Sequence, residues 1–160
     1  MPIWDTILNT IASEFADVSD VEMGTRITLR LFLAALLGGM LGYERESQGQ
    51  AAGVRTHMLV ALGAALFVVV PEQAGVAEDA MSRVTQGVIA GVGFLCAGTI
   101  LKGEGSLQIK GLTTAAGLWL TAAIGVAVGV GYETTAALSA LMVLFVLNVV
   151  PMIVDKKQPQ

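Results

Sequence analysis

Charge, cysteine and histidine are all scarce in this 160-residue sequence, and each scarcity removes a class of function. Charged residues make up 14% of the chain, against about 25% in an ordinary soluble domain. The nine Lys and Arg gather into no basic patch, so no nucleic-acid partner is expected. The single cysteine, Cys96, cannot close an intrachain disulfide; inside an apolar run it argues for packing and against a cysteine metal site. His57 is the only histidine, and no nucleophile–base pair or metal motif accompanies it, so the expectation is a protein that is not an enzyme. Met1 to Asp20 lack the basic start, apolar stretch and small-residue cleavage site of a secretory signal and are expected to stay on the mature protein.

What the chain has in abundance is oil. Hydrophobic residues reach 54% and the mean hydropathy is +0.72, more than a soluble fold of this length can bury. Apolar runs extend from about Ile27 to Tyr43, Val54 to Val70, Val84 to Leu101, Leu112 to Val130 and Thr134 to Val154. Each approaches the roughly 17–25 residues needed to cross a bilayer. Lipid offers a bare backbone no hydrogen bonds, so the predicted fold is all-α: a polytopic integral membrane bundle of five transmembrane helices. The second run is the weakest, because Pro71 follows closely and the run must include Arg55 and His57; a short or tilted helix is expected there. Ahead of the runs, Ile3, Ile7, Ile11 and Phe15 recur every fourth residue, while Asp5, Asn9, Ser13, Glu14 and Asp17 occupy much of the other face. This predicts a short N-terminal amphipathic helix lying along the membrane surface.

Counting cations by alternate side orients the bundle. Arg45, Arg55, Lys102, Lys110, Lys156 and Lys157 fall together, opposed by Arg26 and Arg83. The positive-inside tendency then places the C-terminus and the basic loops in the cytoplasm and the acidic N-terminus outside. The expected division is an extracytoplasmic segment 1–26, a five-helix domain 27–154 and a cytoplasmic tail 155–160. Small-xxx-small pairs at Gly38 and Gly42, Gly87 and Gly91, and Gly125 and Gly129, with Gly117 and Thr121 extending the last row, predict closely packed helices. Five short, glycine-rich helices make a thin wall, so a homo-oligomer is expected.

The densest polar constellation is Glu44-Arg45-Glu46 at the end of the first run and Arg55-Thr56-His57 at the start of the second. The short loop between them makes the two helix ends neighbours, with Arg55 able to pair with a carboxylate and lock the hairpin. Three functional readings stand beside that structural one: a cation entrance, a proton-responsive switch at His57, and a docking surface for another membrane protein. Glu44 and Glu46 are the candidate metal ligands, since magnesium prefers oxygen donors and keeps several waters. No resident cofactor is expected; Mg2+ enters as a transported or sensed ion.

A transport route needs polar groups inside the membrane, yet no Asp or Glu lies mid-membrane. Thr99, Thr113, Thr114 and Asn148, with Lys102 at the loop, are the pathway or interhelical candidates. Arg30 stands one turn inside Arg26 and is expected to snorkel outward; the alternative turns it inward to pair with an acid such as Glu133.

Together these motifs resemble the MgtC/SapB family of bacterial inner-membrane proteins. The resemblance rests on Gly42-Tyr-Glu-Arg-Glu46, Ala52-Gly-Val-Arg-Thr-His57 and the run to Ala65, Ser82-Arg83 through Gly91-Val-Gly-Phe-Leu95, Ile100-Leu-Lys102, Gly111-Leu-Thr-Thr-Ala-Ala116 and Leu118 through Gly125. It implies a five-helix domain in the cell inner membrane and a link to magnesium limitation and acid or envelope homeostasis. Longer members carry a soluble C-terminal domain, whereas this sequence ends after Asp155-Lys-Lys-Gln-Pro-Gln160; it resembles the shorter SapB-like branch or the membrane part of a longer chain. The function expected is a membrane adaptor or regulator linked to magnesium. The alternative is a divalent-cation transporter with a pathway through or between protomers.

Overall fold

The computed structural model describes residues 2–18, 20–102 and 109–155, with backbone only at 101, 102, 154 and 155. Six helices dominate: α1 (Ile3–Glu14), α2 (Val21–Ser47), α3 (Val54–Gln73), α4 (Glu78–Ala97), α5 (Leu112–Val130) and α6 (Glu133–Asp155). A two-residue antiparallel ribbon, β1 (Leu101–Lys102) with β2 (Ile109–Lys110), sits between α4 and α5. Helices α2 to α6 are each long and apolar enough to cross a membrane, as the sequence pattern predicts. The short N-terminal helix is also present.

Helix ends follow local chemistry more than hydropathy. The α2 helix begins at Val21, not Ile27, because Asp20 accepts a hydrogen bond from the Met23 N–H at 2.7 Å and Glu22 pairs with Arg26 at 2.7 Å. A side-chain N-cap satisfies a backbone donor that the helix itself leaves free, and the polar turn it opens is invisible to an apolar window. The α3 helix, expected to be short or tilted, runs 20 residues and carries Pro71 inside its last turn. Only the bond to the Phe67 carbonyl is lost there, a small matter so near the end. The α5 bounds match the apolar run, set by Gly111 at φ 91° and Gly131 at φ 92°. Both lie in the left-handed region that favours glycine, and Gly131 turns the chain directly into α6.

The α5 helix is the axis of the bundle: it packs on α2, α3, α4 and α6 and is the most buried span. One core joins Ala34, Leu37 and Leu41 of α2 with Ala61 and Ala65 of α3, Ile124 and Val128 of α5, and Ala136 and Ala140 of α6. Glycine makes this closeness physical. A Cβ on Gly42 would meet Val54 Cα at 2.6 Å, and one on Gly129 would meet the Ala65 carbonyl at 2.8 Å. Helices in lipid gain from dispersion at short range, so a bare backbone at the crossing point strengthens the contact. Gly87 and Gly91 depart from the predicted pattern, since nothing lies within 4 Å of where their Cβ atoms would be. They line an open groove of about 720 Å3 between α3 and the peripheral α4.

Candidate functional site: buried guanidiniums at both ends of the bundle

The α2–α3 hairpin gathers the predicted cluster, though with different partners. Glu44 and Arg45 are both buried, and they pair with each other: Arg45 Nη2 donates to Glu44 Oε1 at 2.6 Å and Arg45 Nε donates to Oε2. Neighbours in a helix sequence do not ordinarily face one another, so this fork-shaped pair owes its form to the long Arg side chain folding back onto the carboxylate. Glu46 is exposed, and its Oε2 accepts the Val54 N–H at 2.9 Å, capping α3 from the preceding helix. The Gln50 side-chain oxygen accepts the Thr114 hydroxyl at 2.9 Å and ties the loop to α5.

Arg55 does not supply the expected lock. It is exposed and reaches no carboxylate within ion-pair distance among the described residues. Glu46 holds the hairpin instead, while Gln50 ties its loop to α5. As a cation site the cluster fits poorly: Glu44 is consumed by Arg45, Glu46 by a backbone donor, and no group of three or more His, Cys, Asp or Glu that could hold a metal occurs among the described residues. Magnesium bound by one or two carboxylates needs them free of a competing guanidinium.

His57 stands where α2, α3 and α5 cross. Its backbone carbonyl and Cβ lie against Gly38 and Gly42 of α2, and its ring reaches Gly117 of α5. The ring is fully buried, with Nδ1 at 3.0 Å from the Gly53 carbonyl, which can only accept. That bond fixes the proton on Nδ1 and leaves the Nε2 lone pair inward, without a partner among the described residues. Thr121 and Thr114, the buried hydroxyls of α5, spend their protons on the Gly117 carbonyl and on Gln50.

The opposite end holds a second buried guanidinium. Arg30, expected to snorkel, is instead 8% exposed and turned inward. Its Nη1 donates to Glu72 Oε2 at 2.5 Å and to the Gly129 carbonyl at 2.8 Å, and Glu133 Oε1 lies 3.7 Å from Nε. One side chain of α2 thus engages α3, α5 and α6, and the inward alternative is the one the structure takes. Snorkelling would leave the guanidinium to water; here its donors go to groups on neighbouring helices instead. Glu72 escaped the sequence reading because its position after Pro71 looked like loop; the helix continuing to Gln73 is what aims it at Arg30.

The remaining candidates scatter. Thr56 lines the α3–α4 groove, and Thr99 bonds back to the Cys96 carbonyl of its own chain segment at 2.8 Å. Thr113 lines a lipid-side groove between α5 and α6. Asn148 donates to Leu144 within α6 at 2.8 Å, so that bond lies within one helix and joins no neighbour. Lys102 lies in β1 with its side chain outside the described residues, and Lys156 and Lys157 lie outside them altogether. Cys96 packs against α5, its thiol 3.1 Å from the Ala115 carbonyl.

Fold and charge placement define a polytopic membrane protein whose helical bundle carries buried guanidinium–carboxylate pairs near both ends. The chain belongs to the MgtC family, whose profile matches residues 31–156. It is 44% identical to Protein SrpB of Synechococcus elongatus over 76% of this chain and 73% of that one. Over 79% of this chain and 61% of the relative, it is 41% identical to the Escherichia coli K12 protein named "Putative magnesium transporter YhiD". Protein MgtC of Brucella abortus is 43% identical over 71% of this chain and 46% of its own length. The chain therefore spans about half the length of that last relative. No solved structure matches it.

Proposed function

We propose that this protein is a regulator or adaptor of the bacterial inner membrane, linked to magnesium supply, which acts by contact with another membrane protein and not by catalysis. The observation that carries the reading is that the buried guanidiniums near the two ends of the helical bundle, Arg30 and Arg45, each engage the carboxylates beside them, so that neither pairing leaves an acid free to draw in a cation. A cation crossing the bundle would have to compete with a guanidinium for the carboxylates at each end, with no free carboxylate between them among the described residues. The exposed Arg55, with no ion-pair partner among the described residues and beside a hairpin held rigid by its own bonds, suits a docking surface. In this reading the N-terminus faces outward and the Arg45–Arg55 end lies in the cytoplasm, following the distribution of Lys and Arg.

Proximity labelling from the cytoplasmic hairpin in magnesium-limited cells tests it. The expected result is a membrane protein labelled by the native chain and lost with Arg55→Glu, while bundle folding is unchanged. Labelling indifferent to Arg55 and to every other hairpin substitution would remove the docking role.

A second reading keeps one specific support, the name given to the E. coli relative: a divalent-cation path between protomers of a homo-oligomer. The open α3–α4 groove, glycine-lined and peripheral, is where a second copy would seat. Crosslinking from cysteines placed along Gly87 and Gly91 in native membranes would give dimers under this reading and monomer alone without it.

A further inference from the structure

Asn148 leaves amide hydrogen-bonding groups unpaired at a depth where water does not reach. It lies on α6 about 10 Å from the Asp155 end and about 22 Å from the Glu133 end, at 1.5 Å per residue. A hydrocarbon layer about 30 Å thick puts that depth inside the apolar zone, and the side chain is too short to reach out of it. A carboxamide carries two N–H donors and one carbonyl acceptor. Asn148 spends one N–H on the Leu144 carbonyl at 2.8 Å, and its second N–H and its Oδ1 meet no partner among the described residues. The side chain is half-buried and its Oδ1 is not enclosed by the bundle, so it opens onto the lipid side. Lipid tails offer the amide nothing in return, which makes an unpaired group there costly.

The residues around it form a seam. Leu138, Leu141, Phe145, Asn148 and Met152 follow one another at alternating steps of three and four residues. At 100° per residue they fall within an arc of about 80°, centred about 150° away from Ala136, Ala140 and Val143, which pack into the bundle. The four apolar members are each more than half exposed, so no other helix of the chain covers the seam. Steps of three and four are the spacing at which two helices wind about each other with side chains interlocked. A single Asn among apolar seam positions also fixes the register that such a pair adopts.

We propose that two copies of this chain pair through α6, with Asn148 of each copy hydrogen-bonded to Asn148 of the other. Copies inserted with the same topology hold identical residues at the same depth, and a two-fold axis along the membrane normal sets their α6 helices side by side and parallel. Each Oδ1 accepts the free N–H of the other amide, so two reciprocal bonds meet every polar group left over in the protomer. A different protein would have to bring a matching donor and acceptor to that one depth; a second copy supplies them by identity. The seam is on α6 and the open groove is on α3 and α4, so the pairing requires neither ion movement between protomers nor docking at Arg55.

The test uses the full chain in native membranes and in proteoliposomes. In a Cys96→Ser background, a single cysteine at Leu141 or Phe145 should give oxidised dimers in native membranes. A cysteine at Met142 or Val146, also more than half exposed but off the seam, should leave monomer. Monomer at both seam positions, or dimers formed equally at all four, would overturn the seam. A crosslinked product containing a different protein in place of a second copy would overturn the choice of occupant. In proteoliposomes, energy transfer between copies labelled at a cysteine in place of Gln48, followed as added lipid dilutes them, reads the strength of pairing. Asn148→Leu should weaken it roughly fivefold to thirtyfold, and Asn148→Gln, which keeps the amide, should restore most of it. Pairing unchanged by Asn148→Leu, or lost equally with Asn148→Gln, would overturn the role of the amide. Crosslinks at Gly87 or Gly91 report a different seat, so failure of either contact leaves the other standing.

Discussion

The Arg30 clamp yields a prediction whose sign is as informative as its size. Removing one partner of a fully buried ion pair costs about 3–5 kcal/mol, because the other charge stays desolvated. An exposed pair is worth only about 0.2–1 kcal/mol. Here the Arg30 side chain is 9% exposed and that of Glu72 46%, so Glu72→Ala falls between those limits, at about 1–3 kcal/mol. Glu133, 3.7 Å from Nε, offsets part of the loss. Arg30→Leu should cost less, about 1 kcal/mol, because an apolar residue of similar bulk needs no partner and both carboxylates can turn to water. In the Arg30→Leu background, Glu72→Ala should cost almost nothing, giving a coupling energy of about 1–3 kcal/mol. Reversible unfolding in mixed detergent–lipid micelles, followed by tryptophan fluorescence, measures all four members of the cycle. A Glu72→Ala penalty equal in both backgrounds would refute the idea that Arg30 needs Glu72 for compensation.

Other consequences are checked with similar material. Gly42→Ala should destabilise by about 1–3 kcal/mol, since its Cβ meets backbone at 2.6 and 2.9 Å, while Gly91→Ala should change stability by no more than about 0.5 kcal/mol. Equal effects in the unfolding assay would mean that the two glycine rows do the same job. Glu46→Ala removes the cap on Val54 and should cost about 1 kcal/mol, with faster amide exchange confined to the first turn of α3; exchange unchanged there would discard the cap. For orientation, a Cys96→Ser chain bearing a single cysteine at Asn9 should react with a membrane-impermeant maleimide in whole cells. The same chain with its cysteine at Gln48 should not, and the reverse pattern would invert the bundle.

The membrane spans were legible because their signal is one-dimensional: length and apolarity survive without knowledge of neighbours. The α5 bounds matched since glycine marks both of its ends. Helix starts are not legible in an apolar run where a side chain decides them, as when Asp20 caps α2 inside a polar stretch. The hairpin cluster was legible from short loop length, but its pairing was not. Sequence spacing favours Arg55 with a carboxylate across the loop, whereas burial selects Arg45 with its own neighbour and spends Glu46 on a backbone amide. Arg30 shows the same limit, for which way a long cation turns depends on three helices distant in sequence. Gly42 and Gly91 look alike as letters, and only packing separates the one at a helix crossing from the one facing an open groove.

Magnesium uptake into liposomes carrying the purified chain tests the central claim most directly. A bundle whose buried guanidiniums are paired at both ends, with Glu44 and Glu46 already engaged, predicts uptake no faster than in empty liposomes and unchanged by Glu44→Gln with Glu46→Gln. Saturable uptake that disappears with those two substitutions would contradict it.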